Sequence, residues 1–155
     1  MQLHLIAVGE RMPGWVAQGF AEYAGRLPAH LPLRLVELPL ARRGRRDEPQ
    51  RCRRDEGERL LAALPPRARM LALDAGGRQW STQELAAQLE GWLQDGRDLA
   101  FVVGGPDGLS GECRARAEYC WSLSRLTLPH MLVRVVLAEQ LYRAWTVLQN
   151  HPYHR

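Results

Sequence analysis

"LAFVVGGPDGLS", residues 99–110, decides how the chain is organised. Its five leading apolar residues fit a strand buried on both faces, and Gly104-Gly105-Pro106 forces a sharp turn where that strand ends. Two readings of the glycines are open. Either they serve a tight strand-to-helix turn, or a ligand comes so close to the backbone that no side chain is tolerated there. Ser110 then offers an N-cap for a helix running through Tyr119.

Working outward, the same alternation recurs on both sides. Gln2 to Val8 reads as a strand with apolar residues on both faces, hence a central one. Pro13 opens a helix, striped by Trp15, Val16, Phe20, Tyr23 and Leu27. A second strand spans 31–40, and an arginine-rich segment runs into a helix that ends near Pro65. "RMLALD" (69–74) is a third strand, stopped by Gly76 and Gly77. Ser81 and Glu84 form a capping box for a helix to about Asp95. Beyond the opening stretch, 121–130 reads as a fifth strand-like segment, Met131 to Leu148 as a long helix, and "NHPYHR" as a tail.

Strand and helix alternate without a repeat or a dividing linker. The pattern predicts one domain over 1–155, an α/β fold whose mostly parallel sheet carries helices on both faces. Ligands of such sheets bind beyond the carboxyl ends of the strands. Leu73-Asp74 with Gly76-Gly77, Gly104-Gly105-Pro106, and Ser124 to His130 should therefore converge.

Composition narrows the chemistry. Apolar residues make up 46% and charged residues 25%, which are globular values. The opening residues lack the features of a secretory signal, and no window approaches a membrane span. The three cysteines form no CxxC, and no close Cys/His pairs suggest zinc. A reduced, soluble, cytoplasmic protein without a metal is the expectation. All 21 basic residues are arginine. That excludes a Walker A loop, a Schiff-base lysine and a lysine general base. The turn after the first strand, "GERMPG", lacks the GxGxxG of dinucleotide sites. Strand ends of so little fixed charge suit a neutral heterocycle or a cation, and do not suit a polyanion.

Seven arginines lie between Arg42 and Arg54. They read either as a solvated surface or as the electrostatic footprint for a phosphate backbone. His130 is a site residue or a turn residue. The last helix has few polar positions, Arg134, Glu139, Gln140, Arg143, Thr146 and Gln149, and so wide an apolar face points to a subunit interface. The tail concentrates two imidazoles, a phenol and a guanidinium beside a proline, which points to function.

"GGPDGLS", "SLSRLTLPHMLVRVVLAEQLYRAW" (122–145) and "NHPYHR" resemble the RlmH family of SPOUT-class methyltransferases, and the likeness covers the whole chain. The resemblance implies an α/β knot with a C-terminal trefoil thread and a homodimer. It also implies S-adenosylmethionine as methyl donor, and N3 of a pseudouridine in 23S rRNA, within the assembled ribosome, as acceptor. It places the cofactor on Leu73, Gly104, Leu123, Ser124, Arg125, Leu126, Thr127 and Leu128, with Arg125 contributing backbone only. The stretch Arg42 to Arg69 diverges from the family pattern.

N3 of pseudouridine is a weakly acidic imide, so its methylation needs proton removal or stabilisation of the developing anion. His154 is the natural base or relay, Tyr153 a hydrogen-bond partner, and Arg143 or Arg155 a charge stabiliser. Two rivals stand beside this reading: a non-enzymatic ribosome-binding module, and a related methyltransferase acting on tRNA.

Overall fold

A computed structural model describes residues 1–44 and 48–155. Five parallel strands form one sheet in the order β2-β1-β4-β3-β5: β1 (Leu3–Val8), β2 (Leu33–Leu38), β3 (Arg69–Arg78), β4 (Leu99–Val103) and β5 (Tyr119–Trp121). The helices between them are α1 (Gly14–Ala24), α2 (Pro49–Ala62), α3 (Thr82–Asp95), α4 (Gly111–Arg116) and α5 (Leu132–Leu148). A 3₁₀ turn, Pro152–His154, follows.

The two-residue periodicity of the strands divides the core into two layers. Leu3, Leu5, Leu71, Leu73, Leu99 and Phe101 face α1, α3 and α5, meeting Phe20, Leu89, Trp92 and Leu141. Ile6, Val8, Met70, Ala72, Ala100 and Val102 face the other way, onto Leu60 of α2 and Cys113 of α4. This is why β4 is apolar at every position and β1 at every position but His4: each is covered on both sides.

Local chemistry sets the element ends. Pro13 stands at the N-cap of α1, its carbonyl accepting from Val16 and Ala17. Ser81 and Glu84 close the expected capping box, and Ser110 caps α4 through Cys113 N.

Three expectations need correction. The helix capped by Ser110 does not run through Tyr119: it ends at Arg116, where Ala117 turns extended, and Tyr119 opens β5. Gly76 and Gly77 do not stop β3, which continues to Arg78 past an irregularity in its pairing with β5. A Cβ on Gly77 would stand 2.7 Å from the backbone of Cys120, so this glycine permits close strand approach. Nor is 121–130 a strand. Pairing ends at Trp121, and the chain then crosses the carboxyl ends of the sheet toward β1. There His130 Nε2 donates to Val8 O at 2.7 Å, and Arg134 Nη2 donates to Gly9 O at 2.7 Å.

Arg134 is wholly buried. Its charge is matched by Glu37 at 2.7 Å, which ties α5 to the end of β2. Removing one member of such a pair leaves a stranded charge. Glu37→Ala is expected to cost about 3 kcal/mol, read as a lowered urea midpoint. An unchanged midpoint would mean that Gly9 O and water suffice for the guanidinium.

Candidate functional site

The carboxyl ends of β3, β4 and β5 and the crossing segment enclose a cleft of about 290 Å³. Leu73 and Gly104 line it from the strand ends. Leu123, Ser124, Leu126, Thr127 and Leu128 line it from the crossing segment. Arg125, expected to contribute backbone only, is exposed and outside the lining. Asp74, Gly105, Pro106, Gly108, Trp121, Ser122, His130 and Val133 are among the other lining residues, whereas Gly76 and Gly77 lie elsewhere.

Backbone and apolar groups dominate this lining. Its one carboxylate, Asp74, is held by Arg114 Nε at 3.1 Å. The crossing segment keeps its shape through Ser122 Oγ donating to Ser124 O, and Leu126 N donating to Ser124 Oγ, each at 2.9 Å. Leu126 stands 77% exposed over the cleft, an apolar surface that a bound heterocycle would cover.

The opening glycines have an answer in the fold itself. A Cβ on Gly104 would meet Gly108 O at 2.6 Å and Leu109 N at 2.9 Å, because the turn doubles back over its own strand end. A Cβ on Gly105 would stand 2.7 Å from the carboxylate of Glu56. Of the two readings of Gly104, the tight turn thus has a direct physical cause: the returning backbone by itself forbids a side chain there. The turn thus forbidden to change is nevertheless the one that walls the cleft.

Tyr153, Arg143 and His154 gather at the far end of α5, outside the cleft lining. The hub of Arg143 and Tyr153 is Glu139, which the sequence offered only as a polar helix position. Glu139 Oε1 accepts from Arg143 Nε at 2.8 Å and from Tyr153 Oη at 3.1 Å. Arg143 stacks over the Tyr153 ring at 4.9 Å, and Tyr142 packs on it at 4.7 Å. Burial, and then the bond to Glu139, push the Tyr153 phenol up to about 12. Tyr153 therefore keeps its proton at neutral pH and holds it in the hydrogen bond to Glu139. Arg143 is held above its ordinary range chiefly by the Glu139 hydrogen bond, so its charge is fixed. His154 Nδ1 is buried and without a hydrogen-bond partner among the described residues. The spacing of Glu139 and Arg143, four apart on a helix, was the sequence signal for this hub.

The arginine run divides. Arg43 bonds Glu56 and Asp107, Arg51 donates to Arg42 O at 2.6 Å and pairs with Asp55, and Arg54 is exposed. Arg45 and Arg46 lie outside the described residues. Among those described, no group of three His, Cys, Asp or Glu could hold a metal, and no helix is long and apolar enough to cross a membrane. All three cysteines are free.

The profile of the family described as "Predicted SPOUT methyltransferase" matches residues 1–154. Proteins named ribosomal RNA large subunit methyltransferase H are similar end to end. The one from Alkalilimnicola ehrlichii is 60% identical over 100% of this chain and 99% of its own, and that from Methylococcus capsulatus 59% over 100% of both. Among solved structures, a probable methylase family protein from Haemophilus influenzae superposes with a TM-score of 0.58. It does so at 14% identity, over 99% of this chain and 70% of its own, a likeness of fold.

Proposed function

The chain belongs to the SPOUT methyltransferase family and to its large-subunit rRNA branch, and from that premise we propose that it moves a methyl group from S-adenosylmethionine to N3 of a pseudouridine in 23S rRNA on the assembled ribosome. The observation that carries the cofactor is the cleft: largely apolar, poor in charge, and walled by a turn that admits no side chain at Gly104 or Gly105. S-adenosylmethionine would lie against Leu73, Gly104 and the 123–128 segment and would supply an activated methyl group with its own leaving group. The protein then has to orient the donor and make the acceptor nitrogen nucleophilic.

The tail is the candidate for the second task. His154 carries a buried, unbonded ring nitrogen able to take or relay a proton. Arg143 offers a fixed positive charge for the developing imide anion, and Tyr153, its hydroxyl donating to Glu139 and its ring under the guanidinium, holds Arg143 in place. Within one chain these groups stand apart from the cleft lining, which supports a homodimer in which each tail serves the partner's cleft. The path of 122–131 across the strand ends supports the trefoil thread.

The wide apolar face of α5 does not by itself argue for the dimer. α1 and α3 cover its flanks within one chain, and every residue from Met131 to Leu148 is at least half-buried there. Trp15 is the better indicator. It is 62% exposed, one helical turn before Gly19, whose position packs on Val135 of α5. Trp15→Asp is expected to turn a dimer into a folded monomer by light scattering. A wild-type monomer at micromolar concentration would sink the dimer.

Ribosome binding should rest in part on Arg42, Arg53 and Arg54. Their replacement by Ala is expected to weaken binding and to flatten its salt dependence, since each phosphate contact releases counterions. Unchanged binding across a salt series would make that stretch a solvated face.

Labelled S-adenosylmethionine incubated with ribosomes, subunits and tRNA tests the function as a whole. Label in intact ribosomes, mapped to N3 of one pseudouridine, is the expected result. Label in tRNA would favour the tRNA rival, and RNA binding without cofactor binding the non-enzymatic one.

A further inference from the structure

Glu56 on α2 is 1% exposed and lies directly beneath the turn that walls the cleft. A carboxylate so far from water needs a partner. Arg43 provides it: Nη2 stands 3.3 Å from Glu56 Oε1 and 2.9 Å from Asp107 Oδ2, while Nη1 donates to Ala41 O at 3.0 Å. Ala41 N reaches Glu56 Oε2 at 3.5 Å. One guanidinium thus joins three separate segments: the chain leaving β2, helix α2, and residues 104–108.

We propose that Arg43 is a positioning residue for the methyl donor: with Glu56 and Asp107 it clamps the Gly105–Gly108 turn in the shape that receives the cofactor. The inference rests on the reading of the cleft as an S-adenosylmethionine site. The physical reason lies in where Gly105 sits. Its backbone is packed against the Glu56 carboxylate, so any motion of that carboxylate toward water displaces the cleft wall. Without Arg43 the carboxylate is a buried charge with no cationic partner among the described residues, and the turn above it is the covering that yields. Asp107 loses its tether at the same time. Arg43 therefore belongs to the cofactor side of the molecule, although it sits among arginines whose sequence pattern suggested RNA.

Calorimetry with S-adenosylmethionine tests the clamp, on variants whose circular dichroism shows them folded at the temperature used. Arg43→Ala is expected to weaken cofactor binding on the order of 10- to 100-fold, the scale of a small misplacement in a site. The KM for cofactor should rise in step, with a smaller change in kcat at saturation. Adding Glu56→Gln to Arg43→Ala should recover most of the affinity, because glutamine leaves no charge beneath Gly105. A merely stabilising pair would lower the melting temperature of Arg43→Ala and leave affinity unchanged, and that result overturns the proposal. Should Arg43→Ala not fold, Asp107→Asn removes one arm at a partly exposed position. A weakened affinity there is expected, and an unchanged one overturns the clamp. Wild-type protein that binds no S-adenosylmethionine would instead sink the cofactor reading itself.

Discussion

Gly104→Ala is expected to remove measurable S-adenosylmethionine binding, a loss of about 100-fold or more, while lowering stability by about 1–3 kcal/mol. Both effects have one cause. The new Cβ would stand 2.6 Å from Gly108 O and 2.7 Å from Gly108 C. These are main-chain atoms, held by Gly108 N donating to Gly105 O at 3.0 Å and by the bridge between the same two residues. They cannot rotate aside as a side chain would, so the turn must open. Opening it moves Gly104, Gly105, Pro106 and Gly108 together, one whole wall of the cleft. Gly76→Ala is the matched control, since its Cβ would meet nothing closer than Asp74 Oδ2 at 3.8 Å. Calorimetry and thermal unfolding on both variants check the expectation. Affinity retained in Gly104→Ala would mean that the turn relaxes without the cleft changing shape.

That substitution also marks how far the sequence could be read. An apolar run at 99–103, and one at 3–8 broken only by His4, report burial on both faces, so a parallel sheet with two helical layers followed directly. Capping signals at Ser81 and Ser110 placed two helix starts. The cleft was legible because glycines and a polar, proline-ended segment fall at strand ends, where parallel sheets bind ligands. What was not legible depends on contacts between distant residues. Nothing local to Gly105 announces Glu56, nearly fifty positions earlier. Nothing in an arginine run tells Arg43, itself exposed but with its guanidinium on a buried acid, from Arg54, which lies in water beside Asp55. Gly76-Gly77 resembles a strand stop, because a glycine that admits a neighbouring strand and one that ends a strand are identical in sequence. The breadth of α5 likewise reports that it is covered, but not whether α1 and α3 or another subunit does the covering.

Deleting His151 to Arg155 is expected to leave S-adenosylmethionine affinity nearly intact and to reduce methyl transfer to ribosomes by about 10²–10⁴-fold, the usual worth of a positioned acid–base group. Affinity should survive because none of the five residues lines the cleft. Transfer should fall because the deletion takes away the His154 ring, and with it the Tyr153 ring on which Arg143 stacks. His154→Ala should show part of that loss. The same deletion decides which cleft a tail serves. Mixed with the Gly104→Ala chain, it forms some dimers in which one subunit has a sound cleft and the other a sound tail. If tails act across the dimer, the sound cleft faces the sound tail, and activity partly returns. If each tail serves its own subunit, every cleft lacks one component and the mixture stays inactive. Activity undiminished in the simple deletion would remove the tail from the chemistry altogether. The proton would then have to leave through the cleft itself, where the His130 ring, donating to Val8 O at 2.7 Å, is the remaining imidazole.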